Sequence, residues 1–146
     1  MTRIALLDVN VLVALFDPDH VNHEAAHVWF SANRPHGWAS CPITENGLVR
    51  ILSNGAYTGG HETTVAIRRR LDTFCSSGNH SFWPDQLSLR DERRIKLSRV
   101  THGQITDVYL LALATENGGR LATFDRRIPL QAAIGADDAQ LEIIPA

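Results

Sequence analysis

Ile4-Ala5-Leu6-Leu7-Asp8-Val9-Asn10-Val11-Leu12-Val13-Ala14-Leu15-Phe16-Asp17 is the stretch whose reading decides the fold. Four apolar residues in a row read as a short strand covered on both faces, and the run stops abruptly at Asp8. Apolar residues then return at helical spacing from Val9 to Phe16 and end at Asp17-Pro18. Strand, acid, short helix is the resulting order. The same grammar recurs near the other terminus, where Arg120 to Phe124 reads as a strand that ends at Asp125.

Between these two points helices and strands alternate. Ala25, Val28, Trp29 and Ala32 form one apolar stripe of a second helix that Pro35 helps to end, and Trp38 to Cys41 reads as a second strand. Thr44 is the expected N-cap of a third helix running to about Leu52, with Glu45 in its first turn. Ser53 to Gly60, around Tyr57, reads as a mobile loop. A helix follows from about Thr64 with Ile67, Leu71 and Phe74 on its apolar side, then a strand at Ser81 to Trp83. Ser88 to Asp91 offers a capping-box-like start for another helix, and Thr106 caps a stronger one that carries Asp107 in its first turn and stops at Gly118-Gly119. Leu141 to Ile144 is a weaker terminal strand. Short apolar strands alternating with helices predict a three-layer α/β/α domain with a short central parallel sheet, spanning residues 1–146 as a single unit.

Composition narrows the function classes. The chain has 146 residues, 44% of them hydrophobic, which suits one globular core. Fourteen Lys and Arg against sixteen Asp and Glu leave a net charge of −2, so a polyanion partner must be held locally rather than by a bulk positive field. The two cysteines, Cys41 and Cys75, lie far apart with no second Cys or nearby His at zinc spacing, which argues against a disulfide framework or a zinc ribbon. No stretch is apolar for long enough to span a bilayer, and a reducing cytoplasm is the expected setting.

In a parallel sheet, ligands bind beyond the carboxyl ends of the strands. Asp8 and Asp125 directly follow strands there, and Glu45 and Asp107 occupy first turns of helices, so all four are expected on one rim. Four carboxylates within a few ångströms repel and raise one another's pKa unless a hard cation compensates, and oxygen-rich sites of this kind suit Mg²⁺ or Mn²⁺. Such an ion activates water and neutralises charge on a phosphoryl group. An acid in any one of these places is commonly a cap or turn residue, and it is the shared rim that singles them out. Cations flanking the rim would be needed if RNA is the substrate; Arg50, Arg126 and, with the loop at Tyr57, an aromatic stacking group are the candidates.

Leu6 to Leu12, Thr44-Glu45 heading a helix, Thr106 to Ala112 and Leu121 to Asp125 together resemble the ordered motifs of PIN-domain ribonucleases, specifically the VapC-type toxins of toxin-antitoxin pairs. The resemblance implies metal ligation by Asp8, Glu45, Asp107 and Asp125, with Asn10 and Thr123 as hydrogen-bonding groups behind the ligands. It further implies Mg²⁺- or Mn²⁺-dependent endonucleolytic cleavage of RNA by metal-activated water, homodimerisation, and a cognate VapB-type antitoxin that occludes the site. One departure is Asp125-Arg126-Arg127, where many relatives carry another acid shortly after the fourth.

Two readings compete. His23-Glu24-Ala25-Ala26-His27 is a literal H-E-x-x-H, in which two His at i and i+4 hold Zn²⁺ and Glu acts as base in a metallopeptidase. Against it, the helical wheel puts His23 and His27 nearly opposite the Ala25, Val28, Trp29, Ala32 stripe, which predicts exposed polar residues without a shielded metal pocket. A non-catalytic RNA-binding module on the same fold is the other alternative, because fold does not establish turnover. Phosphorelay receivers and haloacid-dehalogenase-type phosphatases both need a lysine near their acids, and the only lysine here, Lys96, falls in a charged segment.

Overall fold

The computed structural model describes residues 3–58 and 62–146. Five strands form one wholly parallel sheet: β1 (Ala5–Leu7), β2 (Trp38–Ser40), β3 (His80–Phe82), β4 (Arg120–Thr123) and β5 (Leu141–Ile143), in the spatial order β3-β2-β1-β4-β5. The central strand is the one the sequence marks most clearly. Its neighbours in register are Ala5 against Trp38 and Arg120, and Leu6 against Ala39 and Leu121.

Alternation along each strand feeds two separate cores, which is what makes the domain three-layered. Ala5, Leu7, Trp38 and Ala122 point to one face, where α1 (Val9–Phe16), α2 (His23–Asn33), α3 (Pro42–Leu52) and α5 (Thr64–Cys75) pack. Leu6, Ala39 and Leu121 point to the other, covered by α6 (Ile105–Glu116) and by Ile128, Ala132 and Ala133. Helix α6 buries Val108 through Ala114 without interruption, so it is apolar all round rather than amphipathic. Gly119 lets β4 follow it closely: a Cβ there would meet the Ile4 carbonyl oxygen and Trp83 at 2.6 Å.

Several local expectations are corrected. The N-cap of α3 is Cys41, not Thr44; Pro42 fixes the first turn, and the Thr44 hydroxyl reaches back to accept from the Cys41 N–H at 3.0 Å. On α2 the buried stripe is Ala26, Trp29 and Phe30, one position away from the predicted one, and Val28 is 67% exposed. Phe30 decides this rotation by packing against Trp38 and Phe74, with ring centroids 5.7 and 5.2 Å away. No helix forms at Ser88 to Asp91. There the side chains of Ser88 and Asp91 accept from the Arg90 and Arg93 N–H groups, closing turns that compete with helix, and Leu89 and Leu97 stay exposed, so no apolar stripe anchors one. The N-cap of α6 is Gln104 rather than Thr106, although Asp107 keeps its first-turn place. Part of the expected loop, Gly55–Thr58, is a short helix α4, and the remaining loop residues Gly59 and Gly60 lie outside the described residues.

The C-terminus of α1 gathers three donors. His23 Nδ1 bonds the Ala14 carbonyl at 2.7 Å, His27 Nε2 bonds the Leu15 carbonyl at 2.9 Å, and an Arg70 guanidinium nitrogen bonds the Phe16 carbonyl. These satisfy carbonyls that a helix end leaves without intrahelical partners. The rotation of α2 turns His23 towards α1, where it is partly buried, correcting the expectation that it faces away from the fold; His27 reaches the Leu15 carbonyl but stays exposed, as expected. Both histidines serve to cap α1, and among the described residues neither belongs to a group of three ligating side chains that could hold a metal ion.

Candidate metal centre and the adjoining cleft

The carboxyl ends of β1 and β4, neighbours in the sheet, deliver Asp8 and Asp125 to one place, and the first turn of α6 adds Asp107. Asp8 is only 4% exposed. It is the N-cap of α1: one carboxylate oxygen accepts from the Val9 N–H at 2.7 Å, and the other accepts from the Thr123 hydroxyl at 2.7 Å. Thr123 is a hub, since its oxygen also accepts from Asn10 Nδ2 at 3.2 Å and from the Asp125 N–H at 3.0 Å. Asn10 closes the circuit by accepting from the Phe124 N–H at 3.3 Å. Asn10 and Thr123 thus fix the carboxylate of Asp8 and the chain path into Asp125.

Electrostatically the arrangement is strained. Burial pushes the Asp8 carboxyl above the usual range, partly offset by its hydrogen bonds, with the Asp125 charge adding to the rise. Asp107 is pushed up to about 7, first by burial and then by the charges of Asp8 and Asp125, both of which lie within hydrogen-bonding reach of it. Three carboxylates crowded at a half-buried rim prefer either a shared proton or a cation. Oxygen-only donors select a hard ion, so the donor set fits Mg²⁺ or Mn²⁺.

Glu45 is not brought to this trio. Its carboxylate accepts from the Ser40 hydroxyl at 2.7 Å and lies with Cys75 and His80, the three ligating atoms within 4.8 Å of one another. The cause is helical phase. Ile43, Asn46, Gly47 and Arg50 share the face of α3 that looks onto the rim, and Glu45 falls on another side. That face lines a cleft of about 310 Å³, bounded also by Val9 and Thr106, the residues adjoining Asp8 and Asp107. Gly47 is needed for the close approach of α3 to α1, because a Cβ there would stand 2.7 Å from a Val9 methyl.

Of the three residues expected to meet RNA, the structure places Arg50 in this cleft. Arg126 is exposed immediately after Asp125. Tyr57 lies elsewhere: its hydroxyl donates to Asp17 at 3.2 Å, and Asp17 is the C-cap of α1, so the eight helical residues put it about 12 Å from the Asp8 end. Asn46 and Asp85 also line the cleft, and the sequence reading singles out neither. The signal for Asn46 was present in the spacing of Ile43, Asn46, Gly47 and Arg50 along one helix face.

A parallel sheet whose strand ends assemble aspartates beside an open cleft is the arrangement of a nuclease-like α/β domain, and the family match agrees. The family model of the PIN domain matches residues 5–134. The chain belongs to the PIN domain family. It is similar to Ribonuclease VapC44 of Mycobacterium tuberculosis, 43% identical over 141 residues covering 94% of this chain and 96% of the relative. It is also similar to Ribonuclease VapC39 of the same organism, 43% identical over 132 residues covering 90% and 95%, and to Ribonuclease VapC38, 42% identical over 122 residues covering 84% and 85%.

Proposed function

We propose that the protein is a metal-dependent endoribonuclease, the toxin of a VapC-type toxin-antitoxin pair, with Asp8, Asp107 and Asp125 as the residues that hold Mg²⁺ or Mn²⁺. The observation that carries this reading is the convergence of three aspartates whose crowding lifts Asp107 to about 7, a set of charges that a divalent cation would relieve. When bound, the ion supplies water activation and neutralises charge on the phosphodiester.

The rest is done by the chain. Thr123 and Asn10 hold Asp8 in one rotamer, so the carboxylate needs no reorganisation to serve as ligand. Arg50, set in the cleft beside the rim, places a cation where a phosphate backbone would otherwise meet only negative charge. Asn46 offers an amide to base edges or sugar hydroxyls of a single strand lying in that cleft. Arg126, exposed beyond Asp125, extends the phosphate path.

The names of the relatives support RNA as the substrate class and a VapB-type antitoxin as partner. Homodimerisation, a cytoplasmic setting without membrane attachment, and one nuclease domain over residues 1–146 complete the proposal; among the described residues no helix is long and apolar enough to cross a membrane. The test is cleavage of labelled single-stranded and structured RNA with Mn²⁺, with Mg²⁺ and with EDTA. Cutting that needs the ion and is lost in Asp8→Asn supports the assignment. Metal-independent cutting, or full turnover in Asp8→Asn, overturns it, and RNA binding without cutting identifies a binding module.

A further inference from the structure

Away from the aspartates, three elements bring unlike ligating groups to one point. Cys75 is the last residue of α5, His80 opens β3 after the turn at Gly78 and Asn79, and Glu45 stands in the first turn of α3. Their ligating atoms lie within 4.8 Å of one another, and all three residues are partly buried. Beneath them is the fully buried Ser40. Its hydroxyl is 2.7 Å from Glu45 Oε2 and 2.7 Å from His80 Nε2, and Cys75 is within hydrogen-bonding reach of it as well.

We propose that Glu45, Cys75 and His80 form a second metal site, for Zn²⁺ or a similar transition metal, distinct from the aspartate centre. One sulfur, one imidazole nitrogen and one carboxylate oxygen suit zinc, whereas Mg²⁺ disfavours thiolate and imidazole. Tetrahedral zinc bonds of about 2.0–2.3 Å set donor atoms roughly 3.5 Å apart, so side-chain adjustments of about 1 Å close the cluster around an ion. Three protein ligands leave a fourth position for water. Binding replaces the Cys75 S–H bond by a sulfur–metal bond, and the proton leaves to solvent. Ser40 remains behind the ligands, its hydroxyl donating to Glu45 and fixing the carboxylate's orientation.

Such an ion would tie α3, α5 and β3 together by bonds that the hydrophobic core does not supply. The full-length protein, stripped of metal, is titrated with Co²⁺ while the thiolate-to-cobalt charge-transfer absorption is followed, and Zn²⁺ is then added to displace it. Wild type and Asp8→Asn are expected to develop the absorption at one equivalent and lose it on adding Zn²⁺; Cys75→Ser is expected to show none. Zn²⁺ should also raise the melting temperature of Asp8→Asn and leave that of Cys75→Ser where it was. His80→Gln, a second variant that retains the thiol, should weaken Co²⁺ binding at least about tenfold. No absorption in the wild type overturns the proposal. So does absorption that survives in Cys75→Ser, which would assign it to Cys41, or absorption lost in folded Asp8→Asn, which would place the ion in the aspartate centre.

Discussion

The aspartate trio and the Glu45 cluster differ in what each lacks. Asp8, Asp107 and Asp125 carry like charges at a half-buried rim, and the hydrogen bonds from Val9 and Thr123 offset the cost of burying Asp8 only in part. Glu45, Cys75 and His80 surround a hydroxyl that gives its proton to the carboxylate and lies 2.7 Å from His80 Nε2, so the polar groups there hold one another. The first group is left with like charges that only a shared proton or a cation would relieve. The second is complete as a hydrogen-bonded knot and can exchange those bonds for metal bonds. Residue types alone do not separate the two: an acid in the first turn of a helix occurs in both, and only the company it keeps differs.

The largest effect that sharpens the comparison is expected from Asp8→Asn, which removes ligand charge while the amide can still accept from Thr123. RNA cleavage should fall by about a hundredfold or more while the circular dichroism spectrum is unchanged. Thr123→Val comes next. It leaves every carboxylate in place but frees Asp8 and the chain into Asp125, and a loss of about ten- to a hundredfold in metal affinity, read by calorimetry, is expected. A loss as small as that of a surface variant would show that Thr123 does not orient the ligands.

A third effect is on stability in the absence of metal. The folded Asp107 carboxyl titrates at about 7 against 3.8 for the ordinary group, and Asp8 is shifted in the same direction. Between these values the folded chain holds more protons than the unfolded chain. Stability is therefore retained below about pH 4 and is lost as pH rises towards 7. With EDTA present, the melting temperature should drop by about 3–6 °C between pH 5 and pH 8, Asp107→Asn should remove most of that slope, and Mn²⁺ should restore the wild type at the higher pH. An identical slope in Asp107→Asn would mean that the crowding is relieved without a cation.

How far the sequence alone reaches follows the same division. The strands that end in Asp8 and Asp125 are legible because an uninterrupted apolar run broken by one acid has few other readings, and both acids follow from strand order. The α2 stripe was misread by one residue because Val28 and Phe30 are equally apolar in the sequence, and only the aromatic contacts of Phe30 with Trp38 and Phe74 choose between them. Helical phase hides Glu45 in the same way. Its place in the first turn of α3 is correct, but whether it looks to the rim depends on where the helix begins, and the beginning is set by Cys41 and Pro42 rather than by Thr44. The meeting of Cys75 with His80 depends on a turn through Gly78 at φ 107° and Asn79 at φ 64°, a backbone reversal whose outcome pairwise residue spacing does not convey.

The smallest effect is the one that most directly tests the separation of the two regions. Glu45→Gln preserves an oxygen to accept from Ser40 and removes only the charge, so the packing of α3 against α1 and α5 is kept. If the phase of α3 in the structure is the phase in which RNA is cut, the charge of Glu45 never reaches the ion at Asp8, and cleavage falls by less than about tenfold. A loss equal to that of Asp8→Asn requires the carboxylate to leave Ser40 and join the trio when the ion binds. Gly47 opposes that motion, since its backbone already stands against Val9 with no room for a Cβ. Equal losses would therefore mean that α3 rotates as a whole, carrying Asn46 and Arg50 out of the cleft.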